Sequence, residues 1–548
     1  MEDLETIDKI YIMDIFQSIL ELFGGLVIFI YGVRLLSEGL EKVGGSHLLS
    51  LLEKSTNHPL KAGLFGMTAT ALMQSSGLLM VTMIGLINAN LITLQQAISI
   101  MLGQEIGTTV TGQLVSLQIR GFNLIFLIVG FYLIFFAKNR KLQLFGLPLF
   151  GFGVVFVGMS MMSKAGASVS QTPFFQQSLL LMSRHIILGV VVGAVFTAAI
   201  QSSTAMTGMV IAMGTPNSIT LQVAVAIILG ANIGSCIMGW LASLQSGTSA
   251  KRASYSQIIM NIGGVLLFLP FVIPYTNLIA TTSKELARQI ANAHTVFNVI
   301  VSALMLPLVK PLAKFVKKII PEREEEARNR KKKTRFIDSR LLKMPAIAIQ
   351  LAKEEVLRVG WITHEMLKKA SEGMLNKKSD SVKWVLKREE DVDSISWNLE
   401  EFLESIPGDK LNPDDQETLE NLKHYVTDIE RVGDHANNLA EFARKIDKKK
   451  IKITKYGRKE LRTLFKRVLS NYGAALKAIK SGNKKFVNNV IKWEEEIDAL
   501  EKEFKRNHIE RLKQNICHPE ADTIFVESLR NLERISDHAY NIVLSLIY

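Results

Sequence analysis

The chain has 548 residues, a formal net charge of +13 and two cysteines. About 30 charged side chains fall in residues 1–319 and about 85 in 320–548. Those fractions, about 9% and about 37%, lie on either side of the roughly 25% of an ordinary soluble domain, which excludes a single homogeneous globular fold. Cys236 and Cys517 are too few and too far apart for a disulfide scaffold or a cysteine-based zinc site. The start, Met1-Glu2-Asp3-Leu4-Glu5, is acidic and lacks the basic region of a secretory signal peptide. Lys and Arg cluster at the ends of apolar segments rather than in an RNA- or DNA-reading pattern, so no nucleic-acid partner is expected. No P-loop or glycine-rich dinucleotide fingerprint is present.

In chain order, apolar stretches near 17–36, 78–117 (two passes broken near Asn88-Ala89-Asn90), 122–137, 143–163, 186–213, 221–244, 254–276 and 293–313 are expected membrane helices. Each needs about 20 residues to cross the hydrocarbon, and those interrupted by Gly, Ser, Thr and Gln are expected to be short or re-entrant. Between Ala62 and Ile119 the only formal charge is Glu105, and from His185 to Ala250 there is none. The lipid bilayer is therefore a partner. Lys138-Asn139-Arg140-Lys141, Lys251-Arg252 and the run Lys310 to Lys318 are expected on the cytoplasmic side, which puts the polar C-terminal half in the cytoplasm.

An internal repeat runs through the apolar half at an offset of 127. It pairs Gln74-Ser75-Ser76 with Gln201-Ser202-Ser203, Ile92-Thr93-Leu94-Gln95 with Ile219-Thr220-Leu221-Gln222, and Ser116-Leu117-Gln118 with Ser243-Leu244-Gln245. Chance similarity between apolar helices matches Leu and Val, not Gln, Ser and Gly. Duplicated units with broken helices are how many secondary transporters build a midplane site. A break frees backbone groups that are costly in lipid unless they line a cavity or bind something. Gln-Ser-Ser supplies one amide and two hydroxyls, which suits an oxyanion or a hard alkali ion. Close packing of small residues is the bland alternative.

These segments, with Gly103-Gln104-Glu105-Ile106-Gly107-Thr108-Thr109, Gly230-Ala231-Asn232-Ile233-Gly234-Ser235 and Ala293-His294-Thr295-Val296-Phe297-Asn298, resemble the sodium/phosphate cotransporter family, type II and its bacterial relatives, over roughly 15–315. The resemblance implies an all-α polytopic membrane domain of two inverted repeats with re-entrant hairpins, and sodium-coupled transport of inorganic phosphate. It implies Gln74, Ser75, Ser76, Thr108, Gln201, Ser202, Ser203, Thr204, Asn232 and Ser235 as contacts to phosphate or sodium. Two positions depart from the family pattern: Gly77 stands where a third Ser or Thr is usual, and Glu105 where Asn is usual. Glu105 is an intramembrane carboxylate and hence a candidate site residue, with snorkelling to a polar edge as its alternative. No Lys or Arg lies inside either repeat, so a phosphate dianion there has hydroxyls and helix N-termini, and bound sodium is expected to supply the missing positive charge.

Residues 320–340 form a charged linker, and after Leu341 apolar residues recur at helical spacing. A second repeat pairs Asp428 to Asn438 with Asn531 to Asn541 at an offset of 103, and Glu390 to Asp393 with Glu495 to Asp498 at 105. Two helical bundles, about 341–447 and 455–548, follow. Facing carboxylates on adjacent helices can hold hard or borderline metals, although a solvated acidic face served by Arg431 and Arg534 is the plain alternative. These motifs resemble the PhoU family of phosphate-uptake regulators over roughly 345–548. The resemblance implies divalent or iron metal at Glu430, Asp434, Glu533 and Asp537, with Asp393 and Asp498 behind them.

The expectation is a multi-pass cytoplasmic-membrane phosphate transporter (1–319) fused to a cytoplasmic PhoU-like regulatory domain (341–548), not an enzyme. A phosphate sensor with an impaired membrane domain and a phosphate exporter are the other readings. A homodimer and a cytoplasmic regulatory partner are compatible with it.

Overall fold

The computed structural model describes all residues except 1, 56–57, 89–90, 118–121, 245–246, 322–333, 335, 515, 518 and 548. Side chains are further left undescribed at 2–12, 44–55, 122–123, 140–141, 410 and 519. Most of the charged linker and the Ala89-Asn90 break thus lie outside the described residues. Among those described, every regular element is helical, as expected from the sequence, and the chain divides into Met1–Ala327 and Arg328–Tyr548.

In the first unit, α1 (Glu2–Ser55) packs along α7 (Arg140–Val169), with α6 (Phe122–Phe136) also against α7. The first repeat is α2 (Pro59–Met73), α3 (Ser76–Asn88), α4 (Leu94–Gly107) and α5 (Thr109–Val115). After α8 (Pro173–Arg184) the second repeat follows: α9 (Ile186–Ile200), α10 (Ser203–Gly214), α11 (Leu221–Gly234) and α12 (Cys236–Leu244). The unit closes with α13 (Thr248–Phe268), α14 (Val272–Ala280), α15 (Leu286–Met305) and α16 (Val309–Ile319). Pro270 and Pro307 sit in single 3-10 turns that join α13 to α14 and α15 to α16, where proline removes a helical N–H without ending the span.

Within each repeat the two long helices pair, α2 on α4 and α9 on α11. Between repeats the halves are exchanged: α3 packs on α12, and α10 packs on α5. Gly103 and Gly230 permit the intra-repeat pairing. A Cβ at Gly103 would lie 1.7 Å from the Gly63 carbonyl oxygen, and one at Gly230 would lie 2.0 Å from that of Val190. Positions 63 and 190 are themselves 127 apart, so the repeat is one of contacts as well as of letters.

Five helical stretches among the described residues are long and apolar enough to cross a bilayer, and α8 with α9 forms a further one bent by 116°. Large apolar side chains point outward along these helices and along the shorter apolar α6, including Val27 and Tyr31 on α1, Ile128 and Phe135 on α6, and Val195 on α9. An apolar surface of that extent belongs in lipid, and the protein is a multi-pass membrane protein. The stretch 78–117 divides after Asn88, as expected, and 186–213 is broken at Gln201. α3 has 13 residues and α10 has 12, which at 1.5 Å per residue is about 20 Å, short of the ~30 Å hydrocarbon core.

Among its described residues the second unit has six α-helices: α17 (Pro345–Asn376), α18 (Ser379–Glu404), α19 (Pro413–Lys449), α20 (Lys455–Ser481), α21 (Lys484–Lys513) and α22 (Pro519–Leu544). Asn412, Thr454 and Asn483 cap α19, α20 and α21 through their side-chain oxygens. α17, α18 and α19 pack as one three-helix bundle and α20, α21 and α22 as another. α17 joins to α20, and α19 to α22.

Candidate substrate, cation and metal sites

The membrane site is built on two equivalent helix breaks. α2 ends at Gln74 with φ 53° and α9 at Gln201 with φ 58°. A left-handed backbone at a residue with a Cβ costs about 1 kcal/mol, and the same residue type bears it in both repeats. The next serine restarts the helix. Ser75 Oγ accepts from the Leu78 N–H at 3.2 Å and Ser202 Oγ from the Ala205 N–H at 3.1 Å. These serines therefore act as N-caps, and the N-termini of α3 and α10 present donors suited to an anion.

The two breaks differ in their surroundings. Gln74 is buried, its amide donating to the Ala71 carbonyl and its Oε1 accepting from Thr111 Oγ1, whereas Gln201 is exposed. Ser203 and Thr204 are buried, while Ser75, Ser76 and Ser202 are half-buried. At Gly77 a Cβ would sit 3.2 Å from Met238 of α12, so the other repeat takes the room a third hydroxyl residue would need. Thr70 and its repeat mate Thr197 each hold a buried hydroxyl without a hydrogen-bond partner among the described residues.

The Gly-x-x-Ile-Gly segments at 103–107 and 230–234 are the last turns of α4 and α11. Their glycines serve close helix contact rather than a turn. Thr108 Oγ1 and Ser235 Oγ cap back onto the carbonyls of Glu105 and Asn232, each at 2.7 Å. Glu105, 6% exposed, accepts from Gln257 Nε2 at 3.1 Å and from Asn261 Nδ2 at 3.4 Å, both on α13. Asn261 Nδ2 also donates to the Asn232 carbonyl at 2.9 Å. One amide thus joins the two repeat-equivalent positions, and Glu105 does not snorkel to an edge.

A cation reaches the first repeat from outside it. Arg288 of α15 donates to the Gln113 carbonyl at 2.9 Å and to Ser116 Oγ at 3.0 Å, where the carbonyls of short α5 lack helical partners. Thr295 accepts from Gln113 Nε2 at 2.7 Å, while Asn298 turns back to the His294 carbonyl.

In the second unit the acidic residues gather into two equivalent clusters. Glu389 and Asp393 of α18 meet Asp434 of α19, and Glu494 and Asp498 of α21 meet Asp537 of α22, with one carboxylate oxygen of each within 4.8 Å of the others. Burial, and then the neighbouring carboxylates, push Glu389, Asp393, Glu494 and Asp537 above the ordinary acidic range. Glu430 and Glu533 lie outside the triads but are pushed up by burial and by Asp434 and Asp537 respectively. Asp498 Oδ1 is buried without a hydrogen-bond partner, and the donors are all carboxylate oxygens, so the residues fit a hard or borderline cation. Arg431 offsets part of the first cluster, reaching Asp434 at 3.4 Å and Glu430 at 3.7 Å.

The histidines beside these acids are engaged elsewhere. His435 Nδ1 shares a hydrogen bond with Asn531 Oδ1 at 2.9 Å, and His538 Nδ1 with Asp428 Oδ1 at 2.8 Å. The two pairs are related by the offset of 103 and tie α19 to α22 crosswise.

The family description Na+/Pi-cotransporter matches residues 28–164 and again 166–306, more than half of the chain. The chain belongs to the Na+/Pi-cotransporter family. The PhoU domain description matches 356–443 and 461–546, one match for each bundle. Among curated proteins, YjbB of Salmonella typhimurium, a candidate inorganic phosphate export protein, is 23% identical over 97% of both chains. YqeW of Bacillus subtilis is 30% identical over 54% of this chain and 96% of its own. Human sodium-dependent phosphate transport protein 2B is 33% identical over 22% of this chain and 18% of its own. The chain thus joins a transporter family to a regulator family.

Several residues of this cotransporter-family chain escaped the reading of motifs. Gln257, Asn261 and Arg288 lie outside both repeats, and the signal available was their polarity within apolar helices. Thr111 lies inside the first repeat, but its mate is Met238, so no matching pair marked it. Glu389 and Glu494 continue the offset of 105 by one residue upstream of the matched pair.

Proposed function

We propose that this Na+/Pi-cotransporter family member moves inorganic phosphate across the cytoplasmic membrane, coupled to sodium, under the influence of a metal-binding cytoplasmic PhoU-like unit. The observation that carries this is the pair of helix breaks at Gln74-Ser75 and Gln201-Ser202, equivalent in backbone, cap and sequence. In such a design the two repeats are inverted, and phosphate is held by the N-termini of α3 and α10 with hydroxyls from Ser76, Ser203 and Thr204. Sodium is supported by the charge inventory: no Lys or Arg lies within residues 62–118 or 189–245, and Arg288 is spent on the end of α5. A dianion in that site needs cations to travel with it. The basic ends of α13 and α16 support a cytoplasmic location for the C-terminal unit.

Export is a second reading for direction. It is favoured by the match to YjbB, named for export, over 97% of both chains. Labelled phosphate flux in proteoliposomes under sodium gradients of each sign tests both. Flux that follows the sodium gradient, and falls at least about tenfold in Ser75→Ala plus Ser202→Ala, supports the mechanism, since each cap also sets a donor geometry. Flux indifferent to sodium in either direction removes the coupling.

A further inference from the structure

Glu105 is a carboxylate enclosed in the apolar unit, at 6% exposure, and its hydrogen-bond partners Gln257 and Asn261 are neutral amides. Amides stabilise a carboxylate but do not cancel its charge, and an ionised acid in such surroundings demands a counter-cation. Its repeat mate Asn232 carries no charge, and the Asn261 amide spans from Glu105 to the Asn232 carbonyl. The charge is therefore an addition to a site whose other half does without it.

The helices packed on α4 supply no cation paired with Glu105 among the described residues, and Arg288 of α15 is held at the end of α5 by the Gln113 carbonyl and Ser116 Oγ. Lys61 of α2 and Lys310, Lys314, Lys317 and Lys318 of α16 are exposed. Arg252, near the start of α13 beside Lys251, donates to the Ile320 carbonyl. His294 of α15 is buried, and on α12 the Cys236 thiol meets the same Asn261 amide at 3.3 Å. None of these forms an ion pair with Glu105 among the described residues.

We propose that Glu105 is a monovalent-cation site, at which its carboxylate and the Asn232 carbonyl take up one sodium ion or proton, with the Gln257 and Asn261 amides orienting both oxygens as donors. The oxygens gathered there are those a hard cation prefers. Neutralising Glu105 also removes its repulsion of a phosphate dianion, so cation and phosphate each favour the other's binding, and the linkage is reciprocal. The coupling role rests on the transport reading above; the site itself does not.

The test uses the purified full chain. Carbodiimide labelling of Glu105, followed by peptide mass, is expected to slow as sodium or pH is raised. Radiolabelled sodium binding and dye-reported proton uptake are then compared in wild type, Glu105→Gln and Glu105→Asn. Loss of one sodium site per chain assigns sodium, and loss of one proton taken up assigns the proton. Labelling insensitive to both sodium and pH, or variants matching wild type in both counts, overturns the site. Sodium-protected labelling in a protein that moves no phosphate leaves the site standing and overturns the transport reading instead.

Discussion

At Gly103 a single hydrogen separates a packed helix pair from a clash, because an added Cβ would meet the Gly63 carbonyl at 1.7 Å and neither atom sits on a flexible side chain. Gly103→Ala is expected to cost about 3 kcal/mol and to lower the yield of monodisperse protein in detergent. Gly24→Ala is the matched control: nothing lies within 4 Å of its Cβ, so helix propensity alone should raise stability by up to about 1 kcal/mol. Equal melting temperatures for the two variants would contradict the packing account. The same scale explains the departures in the first repeat. Gly77 gives way to Met238 from the other repeat, and Glu105 is held by amides from α13. Both departures were visible as letters, but their partners lie more than 150 residues away, beyond the reach of local spacing.

Between elements, symmetry is carried by exchanged contacts. α3 and α10 pack on α12 and α5 of the other repeat as well as on helices of their own, and α19 and α22 trade side chains through His435–Asn531 and Asp428–His538. The two exchanges place Asp428 against Asn531 at equivalent positions, so Asp428→Asn gives the second junction the same residue pair as the first. With both side chains mostly buried, at 17% and 21% exposure, the expected loss is about 1 kcal/mol, seen as a melting temperature lower by a few degrees in the full chain. An unchanged melt would mean the pair adds nothing beyond the neutral bond. The sequence repeat revealed that these residues are equivalent. It did not reveal that each histidine takes its partner from the other bundle.

For the whole molecule, the two units bring different chemistry to one chain: uncharged helix breaks in an apolar unit and concentrated carboxylates in a polar one. The acid clusters bring like charges together, a repulsion that a bound cation would offset. Elemental analysis of the purified protein is expected to find metal, cut by more than half in Asp434→Asn plus Asp537→Asn, with a lower melting temperature after chelation. Wild-type content below about 0.1 metal per chain would remove metal from the account. What the sequence by itself determined is the division into two units, the all-helical class, both duplications and the residues at the helix breaks. Each of these follows from local periodicity, charge density or repetition along the chain. What only the tertiary structure decided is which polar groups meet: Glu105 with Gln257 and Asn261, Arg288 with the end of α5, and Glu389 and Glu494 with their aspartates. The physical reason is that burial in lipid or in a bundle makes an unpartnered polar group costly, while the packing of distant helices determines which partner is within reach.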